Sequence, residues 1–165
     1  MTDTQWLDLA CEEIVTLNLK AKDKLSAIWE LAELLYGAGK IRSKDDYVAD
    51  VLEREAHVAT SVGRGVAIPH ARSAAVIETA VAVGRTKGIR WADDDEEPVK
   101  LVFLLAVPAT NPNSNYIGML ASLAAALLDD GFCQGMKSAA KGSEVVECMR
   151  RYNVCARNVG GEAVQ

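Results

Sequence analysis

The sequence predicts an α/β domain in which helices pack around a sheet, and three stretches carry that prediction. Apolar side chains repeat with helical period over residues 25–36, residues 101–107 are apolar without interruption, and the helical period returns from Ser114. The uninterrupted run, bounded by Lys100 and Pro108, reads as a strand covered on both faces and therefore central in its sheet.

Leu25, Ile28, Trp29, Ala32, Leu35 and Tyr36 share one face of a first helix, with Asp23 before it as a cap and Gly37 and Gly39 beyond its end. Ser43 and Asp46 resemble a capping box. Tyr47, Val48, Val51 and Leu52 then mark one face of a second helix ahead of Arg54 and Glu55, with His57 near its end. Short β-like runs at 66–68 and 80–83 precede the central strand. After Pro108 a long helix is expected from Ile117, Leu120, Leu123, Ala124, Leu127 and Leu128, and a shorter one over 143–151. The sequence shows neither repeats nor a low-complexity linker, so a single domain over residues 1–152 is expected. Residues 153–165, with Gly160-Gly161 and no periodicity, read as a flexible tail.

With 165 residues, half of them apolar and a quarter charged, the composition is that of an ordinary globular domain rather than a disordered or fibrous chain. A net charge of −5 argues against nucleic acid as a partner, because phosphate-backbone binders concentrate Lys and Arg. The start, MTDTQWLDLACEE, lacks a basic region followed by an apolar stretch, and no later window has the ~20 apolar residues of a membrane helix, so a cytoplasmic protein is expected. Cys11, Cys133, Cys148 and Cys155 include no CxxC pair and only two histidines could join them, so no metal site is expected. The thiols read as reduced, buried or unreactive.

The densest chemistry lies in TSVGRGVAIPHARS, residues 60–73. Gly63 and Gly65 permit backbone shapes that turn N–H groups toward an anion, and Thr60 and Ser61 add hydroxyl donors, which together would make a small phosphate pocket. Pro69 biases Ile68 toward an extended shape, so the strand is expected to run out and present His70 at its carboxyl end, where ligands of open α/β sheets bind. The helix after Pro108 would bring Tyr116 to the same rim. By spacing alone the segment reads equally well as a glycine turn next to an ordinary histidine. His57 reads as a solvated or capping side chain. The acidic run 93–97 lacks the spacing of a calcium loop and reads as a solvated hairpin, and the glycines of 37–40 and 84–88 read as turns. No GxSxG elbow of a serine hydrolase is present.

Taken in order, DKLSAIWELAELLYGAGKI, VLERE, TSVGRGVAIPHARS, AVAVGRTKGIRW, EEPVKLVFLLAVP and MLASLAAALLDDGF span most of the chain. The set resembles the enzyme IIA domains of the fructose–mannitol class of the bacterial phosphoenolpyruvate-dependent sugar phosphotransferase system. That resemblance implies a three-layer α/β domain with a mixed central sheet flanked by helices. It also implies a stand-alone cytoplasmic phosphoryl carrier that uses no cofactor. His70 would accept the group from phospho-HPr and pass it to a cysteine of a IIB partner for uptake of a fructose-like sugar or polyol, with a membrane IIC component involved only indirectly. Arg54, in VLERE, matches the family arginine that faces the phosphoryl group, and Thr60 and Ser61 match its hydroxyl-bearing loop. Arg64 stands where an asparagine is frequent between the two loop glycines, and Tyr116 where many members carry a second histidine. The alternative implied by the same resemblance is a nitrogen-related regulatory IIA acting through phosphorylation-dependent protein binding. Histidine suits either role, because neutral imidazole is nucleophilic near neutral pH and its phosphoramidate stays reactive. Catalysis then reduces to alignment and charge stabilisation.

Overall fold

Asp23 and Ser43 open two helices by the same device. The Asp23 carboxylate accepts the Ser26 N–H at 2.8 Å at the start of α1 (Lys24–Gly37), and the Ser43 hydroxyl accepts the Asp46 N–H at 3.1 Å at the start of α2 (Lys44–His57). The computed structural model describes residues 11–110 and 113–152, with the backbone alone for 113–116. The expected tail, Cys155 and the side chain of Tyr116 lie outside the described residues. α1 buries Ala27, Ile28, Leu31, Ala32 and Leu35, a face turned slightly from the expected one, so that Leu25 and Tyr36 are exposed. Tyr36 is covered instead by the Lys44 ammonium, 5.0 Å from its ring centre. α2 does not stop ahead of Arg54 and Glu55; it carries both in its last turn.

The chain divides into two compact units, and Glu13–Thr110 holds the sheet. Six strands form it: β1 (Val15–Thr16), β2 (Ser61–Gly63), β3 (Val66–Ala67), β4 (His70–Ser73), β5 (Ala80–Ile89) and β6 (Val99–Pro108). Their order is β1-β5-β6-β3-β2, with β4 also against β6. The sheet is mixed: β6 runs antiparallel to β5 and parallel to β3 and β4. As the apolar run predicts, β6 is central, and every residue from 101 to 107 is buried.

Two glycines expected in a turn lie inside β5, which extends well past residue 83 to Ile89. At Gly84 a Cβ would come within 3.0 Å of the side chains of Leu19 and Leu31, so the residue is small because α1 presses on the strand there. α1 packs on β5 and α2 on β4, and the two helices touch, so together they cover one face of the sheet. The buried Tyr47 hydroxyl fastens α2 to β6 by donating to the Leu105 carbonyl at 2.9 Å.

β3 and β4 are one strand line broken at Ile68 and Pro69. Val66 faces Leu101 and His70 faces Leu105, so the register is the same on both sides of the break. The strand therefore does not end before His70, as the proline suggested. The proline removes one donor, its carbonyl still accepts the Leu105 N–H at 3.0 Å, and the ladder resumes with His70 as the first residue of β4.

The remaining helices, in the second unit, are α3 (Asn113–Ala126), α4 (Asp130–Ser138) and α5 (Gly142–Arg151). The expected long helix breaks after Ala126 and leaves Leu128 77% exposed, because Asp129 caps a new helix by accepting the Phe132 N–H at 3.1 Å. α4 and α5 pack on each other through Phe132, Cys133 and Met136 on one side and Val145, Cys148 and Met149 on the other. Cys11, Cys133 and Cys148 are free thiols, and burial pushes the Cys148 thiol up from its ordinary value. Among the described residues no single helix is long and apolar enough to cross a membrane.

Tyr47→Phe removes only the hydroxyl that fastens α2 to β6. It is expected to lower the unfolding free energy by about 0.5–1.5 kcal/mol, the net worth of one buried hydrogen bond on a carbonyl that stays in the β4–β6 ladder, seen as a lower urea midpoint at unchanged slope.

Candidate functional site

His70 is 7% exposed, and its Nδ1 lies 2.8 Å from the Ile68 carbonyl. A carbonyl only accepts, so Nδ1 carries the proton and the neutral ring has its lone pair on Nε2. Burial, and then the positive charge of Arg54, push the His70 pKa below the ordinary 6.5, while the Ile68 hydrogen bond and Glu55 pull in the other direction. The net effect is a neutral imidazole at neutral pH, with a defined tautomer and a nucleophilic nitrogen.

Arg54 reaches the site from the last turn of α2. Its Nη1 donates to the Val58 carbonyl at 2.8 Å, which holds the chain leaving the helix and fixes the guanidinium at that helix end. His57 is exposed on the last residue of the same helix.

Thr60 and Ser61 have their hydroxyls committed to carboxylates. Thr60 Oγ1 donates to Glu55 at 2.6 Å, and Ser61 Oγ donates to Asp95 at 2.8 Å. Asp95 also accepts the Ala92 N–H at 3.0 Å, so this member of the acidic run is tied in rather than solvated. Gly63, Arg64 and Gly65 form the β2–β3 turn with φ of 90°, 60° and 75°. The turn presses on the start of β6: the Gly65 carbonyl accepts the Lys100 N–H at 2.7 Å, and a Cβ on Gly65 would lie 3.2 Å from the Pro98 oxygen.

The structure does not gather these turn residues around His70. Ser61, Gly63, Arg64 and Gly65 line a cavity of about 440 Å³ whose other wall carries the carboxylates of Asp94, Asp95, Glu96 and Glu97. Four acids facing one arginine disfavour a phosphate there. The turn lies beyond Val66, and the register separates Val66 from His70 by the stretch of β6 between Leu101 and Leu105, roughly 13 Å at the usual strand rise. Of the residues singled out in the sequence, Arg54 acts directly on His70 through its charge, and Thr60 reaches it through the backbone, because the Thr60 carbonyl accepts the Ile68 N–H at 3.0 Å. Among the described residues no group of His, Cys, Asp and Glu side chains is arranged to hold a metal ion.

Glu55 is the residue that sequence reasoning passed over. It is 6% exposed and receives four donors: the Thr60 hydroxyl at 2.6 Å, the Thr60 N–H at 2.8 Å, Trp91 Nε1 at 3.0 Å and Lys24 Nζ at 3.4 Å. A signal was present, since Glu55 continues at i+4 the stripe of Tyr47 and Val51 that α2 buries.

The sequence profile of the family described as "Phosphoenolpyruvate-dependent sugar phosphotransferase system, EIIA 2" matches residues 9–152. The chain is 29% identical over 147 residues to the fructose-specific EIIABC component of the phosphotransferase system of Bacillus subtilis, covering 88% of this chain and 23% of that protein. It thus spans less than a quarter of the length of that relative. Among solved structures, the nitrogen regulatory protein IIA-Ntr of Neisseria meningitidis matches with a TM-score of 0.78 at 26% identity, over 87% of this chain and 97% of that one. Enzyme IIAMtl of Escherichia coli, in its complex with phosphorylated enzyme IIBMtl, matches with a TM-score of 0.73 at 25% identity, over 86% and 96%. The mixed six-stranded sheet with its helices is the α/β fold of these proteins.

An NMR titration is expected to place the His70 midpoint below 6.5, since both burial and Arg54 disfavour the imidazolium. Arg54→Ala removes a repelling cation and should move that midpoint upward; an unchanged midpoint would show that the guanidinium does not act on the ring.

Proposed function

The chain belongs to the EIIA 2 family of the phosphoenolpyruvate-dependent sugar phosphotransferase system, and from that membership we propose that His70 accepts a phosphoryl group from phospho-HPr and passes it to a cysteine of a IIB partner. One observation carries the reading: His70 is a buried, neutral imidazole whose Nδ1 proton is given to the Ile68 carbonyl. In the first step the Nε2 lone pair attacks the phosphorus of the donor phosphohistidine. A new N–P bond forms as the donor's N–P bond breaks, and the donor ring leaves with the electron pair. No proton has to move, because Nδ1–H stays with Ile68 throughout. In the second step a cysteine thiolate of the partner attacks, an S–P bond forms, and the pair returns to Nε2.

Arg54 would stabilise the phosphoryl group in both directions. Its guanidinium has five N–H donors and spends Nη1 on Val58, which leaves others for phosphoryl oxygens. The B. subtilis relative is named for fructose, which supports a fructose-like sugar or polyol as the substrate at the end of the relay. The E. coli neighbour was solved with phosphorylated IIBMtl, which supports IIB as the acceptor. Such a relay operates in the cytoplasm, with a membrane IIC component beyond IIB. The likeness to IIA-Ntr, at a TM-score of 0.78, favours a second reading in which the phosphorylation state of His70 governs binding to regulatory partners.

Incubation with phosphoenolpyruvate, enzyme I and HPr is expected to place one acid-labile phosphate on the protein, absent from His70→Ala; an unlabelled wild type would end the proposal. Onward transfer to a IIB cysteine and then to sugar supports the transport reading, and a phosphorylated protein that no IIB discharges supports the regulatory one. Arg54→Ala should slow acceptance by about 10- to 100-fold, the loss of a charge-assisted contact worth ~1.5–3 kcal/mol. Arg54→Lys, which keeps the charge without the planar fork, should slow it less.

A further inference from the structure

We propose that Glu55 is a positioning residue for His70, acting through Thr60 and the Ile68 peptide; the inference rests on the reading of His70 as the phosphoryl acceptor. A carboxylate that is 6% exposed is costly unless its lone pairs are met, and here they are. Oε1 takes the Thr60 hydroxyl at 2.6 Å, the short distance of a charge-assisted bond, and Oε2 takes the Thr60 N–H, Trp91 Nε1 and Lys24 Nζ. Thr60 is therefore gripped twice by one side chain, at its backbone and at its hydroxyl.

The grip passes directly to the imidazole. Thr60 gives its carbonyl to the Ile68 N–H at 3.0 Å, and Ile68 gives its own carbonyl to His70 Nδ1 at 2.8 Å. Ile68 lies in the gap between β3 and β4, so the pairing with β6 that holds Val66, Ala67 and His70 skips it. Its N–H is oriented by Thr60, and Thr60 by Glu55. The carbonyl that selects the Nδ1–H tautomer of His70 thus hangs on a chain of hydrogen bonds that begins at a buried carboxylate. Trp91 and Lys24 anchor the far end, with Lys24 Nζ 5.8 Å from the Trp91 ring centre as well as against Glu55.

A purely structural carboxylate would affect stability alone, whereas a positioning one affects the ring. Histidine-selective ¹⁵N NMR reports the tautomer of His70 directly, without any phosphoryl transfer. In the wild type Nδ1–H is expected to dominate. Glu55→Gln, which turns an amide toward donors, and Thr60→Val, which removes the hydroxyl at nearly constant volume, should both mix the tautomers. Both should also slow phosphoryl acceptance from phospho-HPr by at least about tenfold, with KM for HPr little changed. Thr60→Ser restores the hydroxyl and should recover both the tautomer and the rate. The Thr60 pair keeps the test open if Glu55→Gln fails to fold. Folded Thr60→Val that retains the wild-type tautomer and rate would overturn the proposal. So would a rate loss that follows stability alone while the tautomer is unchanged. A wild type that accepts no phosphate would instead overturn the phosphoryl-carrier reading, and the tautomer of the variants would still decide the role of Glu55.

Discussion

A strand buried on both faces has no water for its backbone, and β6 is that strand here. Each of its N–H and C=O groups must be met by a neighbouring strand or a side chain, because an orphaned buried group costs as much as a lost hydrogen bond. β5 meets one edge along nearly its whole length. The other edge is met by β3, the Pro69 carbonyl and β4 in a single unbroken register. His70 is placed by this requirement. The proline leaves a gap without shifting the register, and the histidine begins the resumed ladder with its ring facing a peptide that the ladder does not hold.

The electrostatics of the site follow from burial more than from any single pair. Removing His70 from water disfavours its charged form, and the nearby Arg54 adds to that. In the proposed relay the same guanidinium would serve twice, helping burial keep the ring neutral before transfer and holding phosphoryl oxygens after it. Glu55, next in sequence, projects to the buried side of α2 and is fully occupied with donors. Two adjacent residues of opposite charge thus have separate surroundings, set by the roughly 100° turn between them on the helix.

The glycine turn has a different role from the one its composition suggests. Three consecutive residues with positive φ bring the Gly65 carbonyl onto the first N–H groups of β6, where a side chain would meet Pro98. Its hydroxyl neighbour Ser61 secures the β5–β6 connection through Asp95. The glycines are explained by close backbone approach, and the cavity beside them is acidic.

Local information was enough for the caps at Asp23 and Ser43 and for the central position of residues 101–107, and it singled out His70 and Arg54, which the fold sets close enough for the charge of one to act on the other, because short-range hydrogen bonds, hydrophobic period and motif order are written into neighbouring residues. It was not enough for the break after Ala126, the length of β5 or the resumption of the strand after Pro69. In the last two a distant partner outweighs local preference, α1 against Gly84 and the Leu105 N–H that donates to the Pro69 carbonyl, whereas the break after Ala126 comes from the Asp129 cap competing with a continuous apolar period. Glu55 shows the limit most clearly. Its sequence neighbourhood is that of a charged helix end, and only folding brings Thr60, Trp91 and Lys24 around it from three other segments. A carboxylate's surroundings are a property of the packed chain: Thr60 is five residues away, but the Trp91 and Lys24 donors that complete the shell come from far along the sequence.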